Sequence, residues 1–139
     1  MWPSPIIWDS VRSSNEIEGS MGARGNSFII YEWKGSGPPY IHVHYEDDEA
    51  WYILEGNLSF VFPDRKLEAT KGTTVFVPAG LPHSYVAHEG SRYLIILSPR
   101  LDQLIAELHT VPLKDHAMVM KKYHSEILDQ AILFDKPEV

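Results

Sequence analysis

The run Gly37-Pro-Pro-Tyr-Ile-His42-Val-His44-Tyr-Glu-Asp-Asp-Glu49, followed by Ala50-Trp-Tyr-Ile-Leu-Glu-Gly56, decides how the rest of the chain is read. Its two histidines stand one residue apart inside a β-type run, Tyr40 to His44. Side chains on a strand alternate between faces, so His42 and His44 point the same way, with imidazoles close enough to share one ion. Glu49 opens the next β-type run. The intervening Tyr45 to Asp48 must turn or bulge to bring its carboxylate to the same side.

Outward from this stretch the pattern stays β-type. Short runs rich in Val, Ile, Phe, Tyr and Trp cover Phe28 to Trp33, Tyr40 to His44, Ala50 to Leu54, Leu58 to Phe62, Thr74 to Val77, Ser84 to Ala87 and Tyr93 to Leu97. Turn chemistry separates them. Gly56-Asn57 supplies the positive φ of a tight hairpin, Pro63-Asp64-Arg65-Lys66 forms a second hairpin tip, and Val77-Pro78-Ala79-Gly80 suits a type I turn leading to His83. The spacing predicts an all-β antiparallel sandwich or barrel. Closing the sheet into a barrel is what would carry His83 to the first histidine pair.

After Leu97 the apolar period changes. Leu101, Leu104, Ile105 and Leu108 recur at helical spacing, with Ser98 as N-cap and Pro99 at the first helical position. Pro112 interrupts, Asp115 to Tyr123 reads as a second short helix, and an extended tail follows. The helices are expected to cover an end or face of the barrel. The organisation is therefore one domain: residues 1–27 as an N-terminal arm or edge strand, 28–97 as the β-barrel core, and 98–139 as C-terminal helices and tail.

Composition narrows the function classes. The chain has 139 residues, 44% hydrophobic and 22% charged, with a formal net charge of −7. One core serves this length, and the acidic balance disfavours nucleic acid as a partner. No cysteine is present, which leaves nitrogen and oxygen as metal donors. The first residues lack a basic leader, and no apolar stretch approaches the roughly 20 residues of a membrane span, so a cytoplasmic protein is expected.

Three imidazoles and one carboxylate suit Fe(II), Mn(II), Co(II), Ni(II), Cu(II) or Zn(II). Any one of His42, His44, Glu49 or His83 alone reads as an ordinary hydrogen-bonded or surface residue; the case rests on the set. His88, His109, His116 and His124 lack a comparable arrangement and read as surface histidines, and Glu46-Asp47-Asp48 reads as a solvated turn.

The ordered motifs resemble those of the cupins, a superfamily of small jelly-roll β-barrels. The pattern Gly-x5-His-x-His-x3–4-Glu-x6-Gly is matched by His42, His44, Glu49 and Gly56, and Gly-x5-Pro-x-Gly-x2-His-x3-Asn by Gly72, Pro78, Gly80 and His83. Four rather than five residues separate Gly37 from His42, and Ala87 replaces the final Asn. The resemblance implies one divalent transition-metal ion held by His42, His44, Glu49 and His83. A narrower likeness, in Gly35-Ser-Gly-Pro-Pro39, Trp51-Tyr-Ile-Leu-Glu-Gly56 and the helical extension, is to single-domain cupins related to quercetin 2,3-dioxygenases. That likeness implies a dioxygenase-like oxidoreductase, with Glu49 as ligand and proton acceptor. A metal-dependent isomerase or lyase and a non-catalytic binding cupin are the alternatives.

Strand parity turns Tyr40, Trp51 and Tyr85 toward the ligand side and makes them candidates to bind substrate; Phe60, Phe62 and Phe76 fill the interior or line the same space. No Lys or Arg falls in the ligand-bearing runs. A small hydroxylated, partly aromatic molecule without phosphate is therefore the expected substrate, and exposed strand edges favour a homodimer.

Overall fold

The computed structural model describes residues 1–10 and 21–129. Its strands are β1 Met21–Arg24, β2 Ile29–Trp33, β3 Ile41–His44, β4 Glu49–Glu55, β5 Asn57–Phe62, β6 Arg65–Thr70, β7 Thr74–Val77, β8 Ser84–Ala87, β9 Arg92–Leu97 and β10 Ser125–Asp129. Helices α1 (Pro99–Leu108) and α2 (His116–Lys122), linked through a 3-10 turn at Leu113–Asp115, separate β9 from β10. Gly19, Ser20 and the tail beyond Asp129, expected as loop and extended chain, lie outside the described residues.

The antiparallel jelly-roll-type fold and its C-terminal helices agree with the sequence expectation. One sheet has the order β1-β2-β9-β4-β7. The other is built from β6-β5-β8 and the pair β10-β3. A single antiparallel bridge between His42 and His83 joins those two pieces. The enclosure comes from sheets packed face to face; among the described residues they are not hydrogen-bonded into a closed cylinder. Alternation explains the packing. In β4, Glu49, Trp51 and Ile53 are buried while Tyr52 faces out, and the Trp51 ring meets Phe60 of the opposite sheet at 5.1 Å.

Gly56 sits between β4 and β5 with φ +83°, and a Cβ there would lie 2.4 Å from Ser91 Oγ. Ser91 is fixed in turn by bonds of 2.9 Å to the amide and carbonyl of Asn57. The glycine is thus required both by the left-handed turn and by the close approach of the β8–β9 connection.

Two strands have little local signal. In β6 only Ala69 is buried, so Arg65-Lys66-Leu67-Glu68-Ala69-Thr70 shows almost no apolar alternation; pairing with β5 across the two-residue Pro63-Asp64 turn makes it a strand. β10 pairs with β3, placing Ser125 opposite His44 and Ile127 opposite His42. Helix α1 follows its sequence signals: Ser98 Oγ accepts from the Leu101 amide at 3.1 Å, and Leu101, Leu104 and Leu108 are buried.

Residues 8–10 are anchored by a buried ion pair. Glu32 and Arg92, 1% and 4% exposed, face each other across the first sheet. Trp8 Nε1 donates to Glu32 at 3.1 Å, and Arg92 donates to the Ser10 carbonyl at 2.9 Å and to Glu55 at 3.2 Å. Each charge is therefore hydrogen-bonded as well as paired, which a buried ion pair needs to avoid a net desolvation cost. No helix of the described residues is long and apolar enough to cross a membrane.

Candidate metal centre

Backbone geometry assembles the three histidines. The bridge uses both amides: His42 N–H donates to the His83 carbonyl at 3.1 Å and His83 N–H to that of His42 at 2.9 Å. The Pro78-Ala79-Gly80 turn is stapled in place by Gly80 N–H to the His44 carbonyl and Ala79 N–H to Asp48, both 2.8 Å. Imidazole centroids stand 4.5 Å apart for His42–His83, 4.8 Å for His42–His44 and 5.4 Å for His44–His83. One nitrogen from each ring lies within 4.8 Å of the others. Glu49, at the start of β4 in the opposite sheet, brings Oε1 to 3.1 Å from His83 Nε2 and 3.4 Å from His44 Nε2. All four side chains are buried.

The outer nitrogens are tied to the protein. Nδ1 of His42 meets the Tyr40 carbonyl at 3.3 Å, and Nδ1 of His83 the Leu81 carbonyl at 2.9 Å. Carbonyls only accept, so both Nδ1 atoms carry the proton. Nδ1 of His44 meets Ser125 Oγ at 2.8 Å, and that hydroxyl already donates to the Tyr123 carbonyl at 3.1 Å, leaving its oxygen to accept. With Nδ1 so engaged, each imidazole turns Nε2 toward the shared space, the arrangement found when hydrogen bonds on the outer nitrogens orient metal-binding histidines.

The donor set fits a divalent ion. Bonds of about 2.1 Å put neighbouring donors about 3.0–3.4 Å apart and opposite donors about 4.2 Å apart; the Glu49–histidine separations of 3.1 and 3.4 Å lie in this range, whereas the histidine nitrogens, spread over up to 4.8 Å, would draw slightly together around an ion. Lone pairs facing a carboxylate so closely repel unless a cation, proton or metal, stands between them. Burial, aided by the neighbouring His83 and His44, pushes the His42 imidazole well below its ordinary value of 6.5. Burial would raise the Glu49 carboxyl, but in the metal-free protein a proton on Nε2 of His44 or His83, donated to its oxygen, outweighs burial and holds the group far below 4.5.

The four residues form part of the wall of a cavity of about 560 Å³. Tyr85 lines it, with its hydroxyl 2.8 Å from that of Tyr93, and burial raises its phenol to about 12. Gly37 lies flat against the Tyr85 ring, where a Cβ would come within 2.6 Å. Tyr40 and Trp51 are fully buried behind the ligands, off the cavity wall: Tyr40 packs edge-on to His42 at 5.9 Å and Trp51 to His83 at 5.9 Å. Phe60 is core, Phe62 is half-buried against it, and Phe76 faces outward, 61% exposed.

Other readings need correction. His116 is no simple surface residue: it is half-buried, lines the cavity and pairs through Nδ1 with the Tyr40 hydroxyl at 2.7 Å. His109 also lines the cavity. Asp47 is buried beside Arg100 at 3.0 Å, so the acidic turn is only partly solvated. Helix α1 does more than cover an end, since Leu101, Leu104, Ile105 and Leu108 wall the cavity. Sequence reasoning also missed Arg24, Tyr31, Trp33 and Asp102 on its lining. Parity with the inward residues of β4 could have flagged Tyr31 and Trp33; Arg24 depends on a strand without apolar alternation.

A family model described as the cupin domain matches residues 28–98, about half of the chain. The chain belongs to this cupin family. A curated relative, the uncharacterised protein MJ1618 of Methanocaldococcus jannaschii, is 40% identical over 43 residues, 31% of this cupin and 34% of that protein. The match thus spans about a third of the relative's length. Among solved structures, a cupin protein (BF4112) from Bacteroides fragilis superposes with a TM-score of 0.53 at 16% identity, covering 70% of this chain and 86% of that one. Protein NMB1881 from Neisseria meningitidis gives 0.51 at 19% identity, covering 61% and 91%. These likenesses concern the fold.

Two outcomes are expected of this cupin. Replacing Ser125 with Ala removes the acceptor for His44 Nδ1 and weakens Zn(II) or Co(II) binding by about 10–100-fold, measured by competition with a chromophoric chelator. The metal-free protein also loses stability with acid. The unfolded chain takes a proton on His42 at about 6.5 that the folded state refuses, so that contribution is present above pH 6.5 and falls by about 1.4 kcal/mol per pH unit below it. The Glu49 contribution is present above 4.5 and is lost below. Chelator-treated protein melted between pH 7.5 and 4 should show a falling midpoint that steepens below 4.5; a flat profile contradicts the buried neutral imidazole.

Proposed function

We propose that this cupin is a divalent-metal-dependent enzyme, dioxygenase-like, acting on a small hydroxylated and partly aromatic molecule. The observation that carries this reading is the convergence of three histidine nitrogens and the Glu49 carboxylate on the wall of a cavity otherwise lined largely by apolar side chains. His42, His44, Glu49 and His83 are the proposed ligands. When bound, a divalent transition-metal ion supplies Lewis acidity toward a substrate hydroxyl and, if redox-active, reactivity toward O2.

The chain's own residues do the rest. The Nδ1 bonds of the three histidines fix the donors before substrate arrives. Glu49, held ionised, is the proposed acceptor for the substrate's hydroxyl proton; its depressed pKa makes it a weak base, so only an acidified hydroxyl would yield that proton. Tyr85 and Trp33 line the cavity and would meet an aromatic substrate, whereas Tyr40 and Trp51 would act by bracing His42 and His83. The same donors suit redox-inert Zn(II), which supports a second reading as a metal-dependent isomerase or lyase without oxygen consumption.

Metal-reconstituted protein is expected to take up O2 with a catechol, flavonol or diketone in an oxygen electrode. Glu49→Gln, checked for metal content and circular dichroism, should lose about 10²–10⁴-fold in turnover. Turnover without O2 uptake would favour the isomerase or lyase, and unchanged turnover in the variant removes Glu49 from the chemistry.

The proposal extends to a cytoplasmic homodimer. The outer face of the first sheet carries Ala23, Ile30, Ile96, Ala50 and Phe76 in one cross-strand row, none of them buried, and a second copy of the same face would cover them. Sedimentation at twice the 15.9 kDa chain mass is expected; a monomer at micromolar concentration rules the pairing out.

A further inference from the structure

Inward parity across the first sheet selects Arg24 from β1, Tyr31 from β2, Leu97 from β9 and Glu49 from β4, and all four line the cavity. Arg24 pairs with Ile29, Ile29 with Leu97, and Glu49 neighbours Ala50, which pairs with Ile96. Arg24 and Glu49 are therefore three strands apart in one row, about 14 Å between backbones at the usual strand spacing. At the Arg24 end three polar side chains close a ring of hydrogen bonds. Arg24 Nε donates to Asp102 Oδ2 at 3.2 Å, Arg24 Nη2 donates to the Tyr31 oxygen, and the Tyr31 hydroxyl donates to Asp102 Oδ1.

We infer that this Arg24–Tyr31–Asp102 ring is a second polar subsite of the cavity, which receives a neutral hydroxyl at the far end of a two-ring ligand whose near end meets the metal centre. The inference rests on the metal-centre reading above and adds the length and far-end chemistry of the ligand. The ring uses two of the five guanidinium N–H donors, and the Arg24 side chain is 67% exposed, so donors remain for a ligand oxygen. Burial and the bond to Asp102 raise the Tyr31 phenol to about 12, so it stays a donor to the carboxylate.

Charge decides the class of group. Arg24 and Asp102 balance each other, so the subsite offers N–H donors beside a carboxylate acceptor. A hydroxyl satisfies both, whereas a ligand carboxylate would meet Asp102 with like charge. Between the two polar ends the wall is Ile95, Leu97, Leu101 and Ile105, which suits apolar ring faces. A separation of about 14 Å between the two backbones is on the order of two linked six-membered rings together with the polar contacts at their two ends.

Zn(II)-reconstituted protein, which avoids oxidation of the probes, tests this by calorimetric titration. The probes are catechol, 3,4-dihydroxybiphenyl, 3,4,4′-trihydroxybiphenyl and 3′,4′-dihydroxybiphenyl-4-carboxylate. The far hydroxyl should tighten binding about tenfold over the unsubstituted biphenyl, and the carboxylate should not. Arg24→Ala should erase that gain while leaving catechol binding within twofold, which also shows that the variant is folded. Asp102→Asn leaves Arg24 without its counter-charge and should reverse the preference toward the carboxylate probe, a reversal that a purely structural clasp between β1 and α1 does not produce. A far-hydroxyl gain below twofold, or a gain that survives Arg24→Ala, overturns the subsite. Catechol binding that is indifferent to zinc overturns the metal-centre reading itself, a separate result.

Discussion

The rest of the site hangs on a single antiparallel bridge, the reciprocal amide–carbonyl pair of His42 and His83. Among the described residues it joins two pieces of the second sheet that otherwise share no ladder, and it sets two imidazoles directly opposite each other. His44 follows from His42 because strand parity leaves it no other face. The Gly80 amide on the His44 carbonyl then secures the turn that delivers His83. Backbone pairing thus brings the ligand-bearing positions together, and the Nδ1 hydrogen bonds then lock the imidazole rotamers.

Electrostatics make that placement meaningful. Buried polar acceptors are tolerated only when paired, and here the pairing is asymmetric. The outer nitrogen of each imidazole is satisfied by a carbonyl or by Ser125, while the inner lone pairs and Glu49 face one another. A positive charge between them, a proton or a metal ion, would resolve that conflict for a polar cluster set among Trp51, Tyr40 and Phe60 in the core. The C-terminal extension belongs to the same construction: β10 supplies Ser125, α2 supplies His116 to Tyr40, and α1 supplies an apolar wall and Asp102.

Residues whose role is fixed by neighbours in sequence were legible. The hairpin at Gly56-Asn57, the Ser98-Pro99 start of α1 and the same-face pair His42 and His44 each follow from spacing or backbone chemistry over a few positions. Residues whose role depends on a distant partner were not. Ser125 lies 81 positions from His44, and Asp102 lies 78 from Arg24. β6 carries one buried residue, so its pattern resembles a polar loop until β5 is beside it. Tyr40 and Trp51 share the ligands' parity, but parity cannot say whether a ring meets the cavity or backs the ligand from behind.

By itself the sequence determined the β periodicity, the turns, the capped helix and the donor chemistry, because these are set by interactions within a few residues along the chain. The tertiary structure alone decided that the enclosure is two packed sheets, that the C-terminal strand orients a histidine, and that Arg24 and Asp102 meet at the cavity. Those outcomes depend on which strands and helices become neighbours, and that is selected by burial of the whole core rather than by any local pattern.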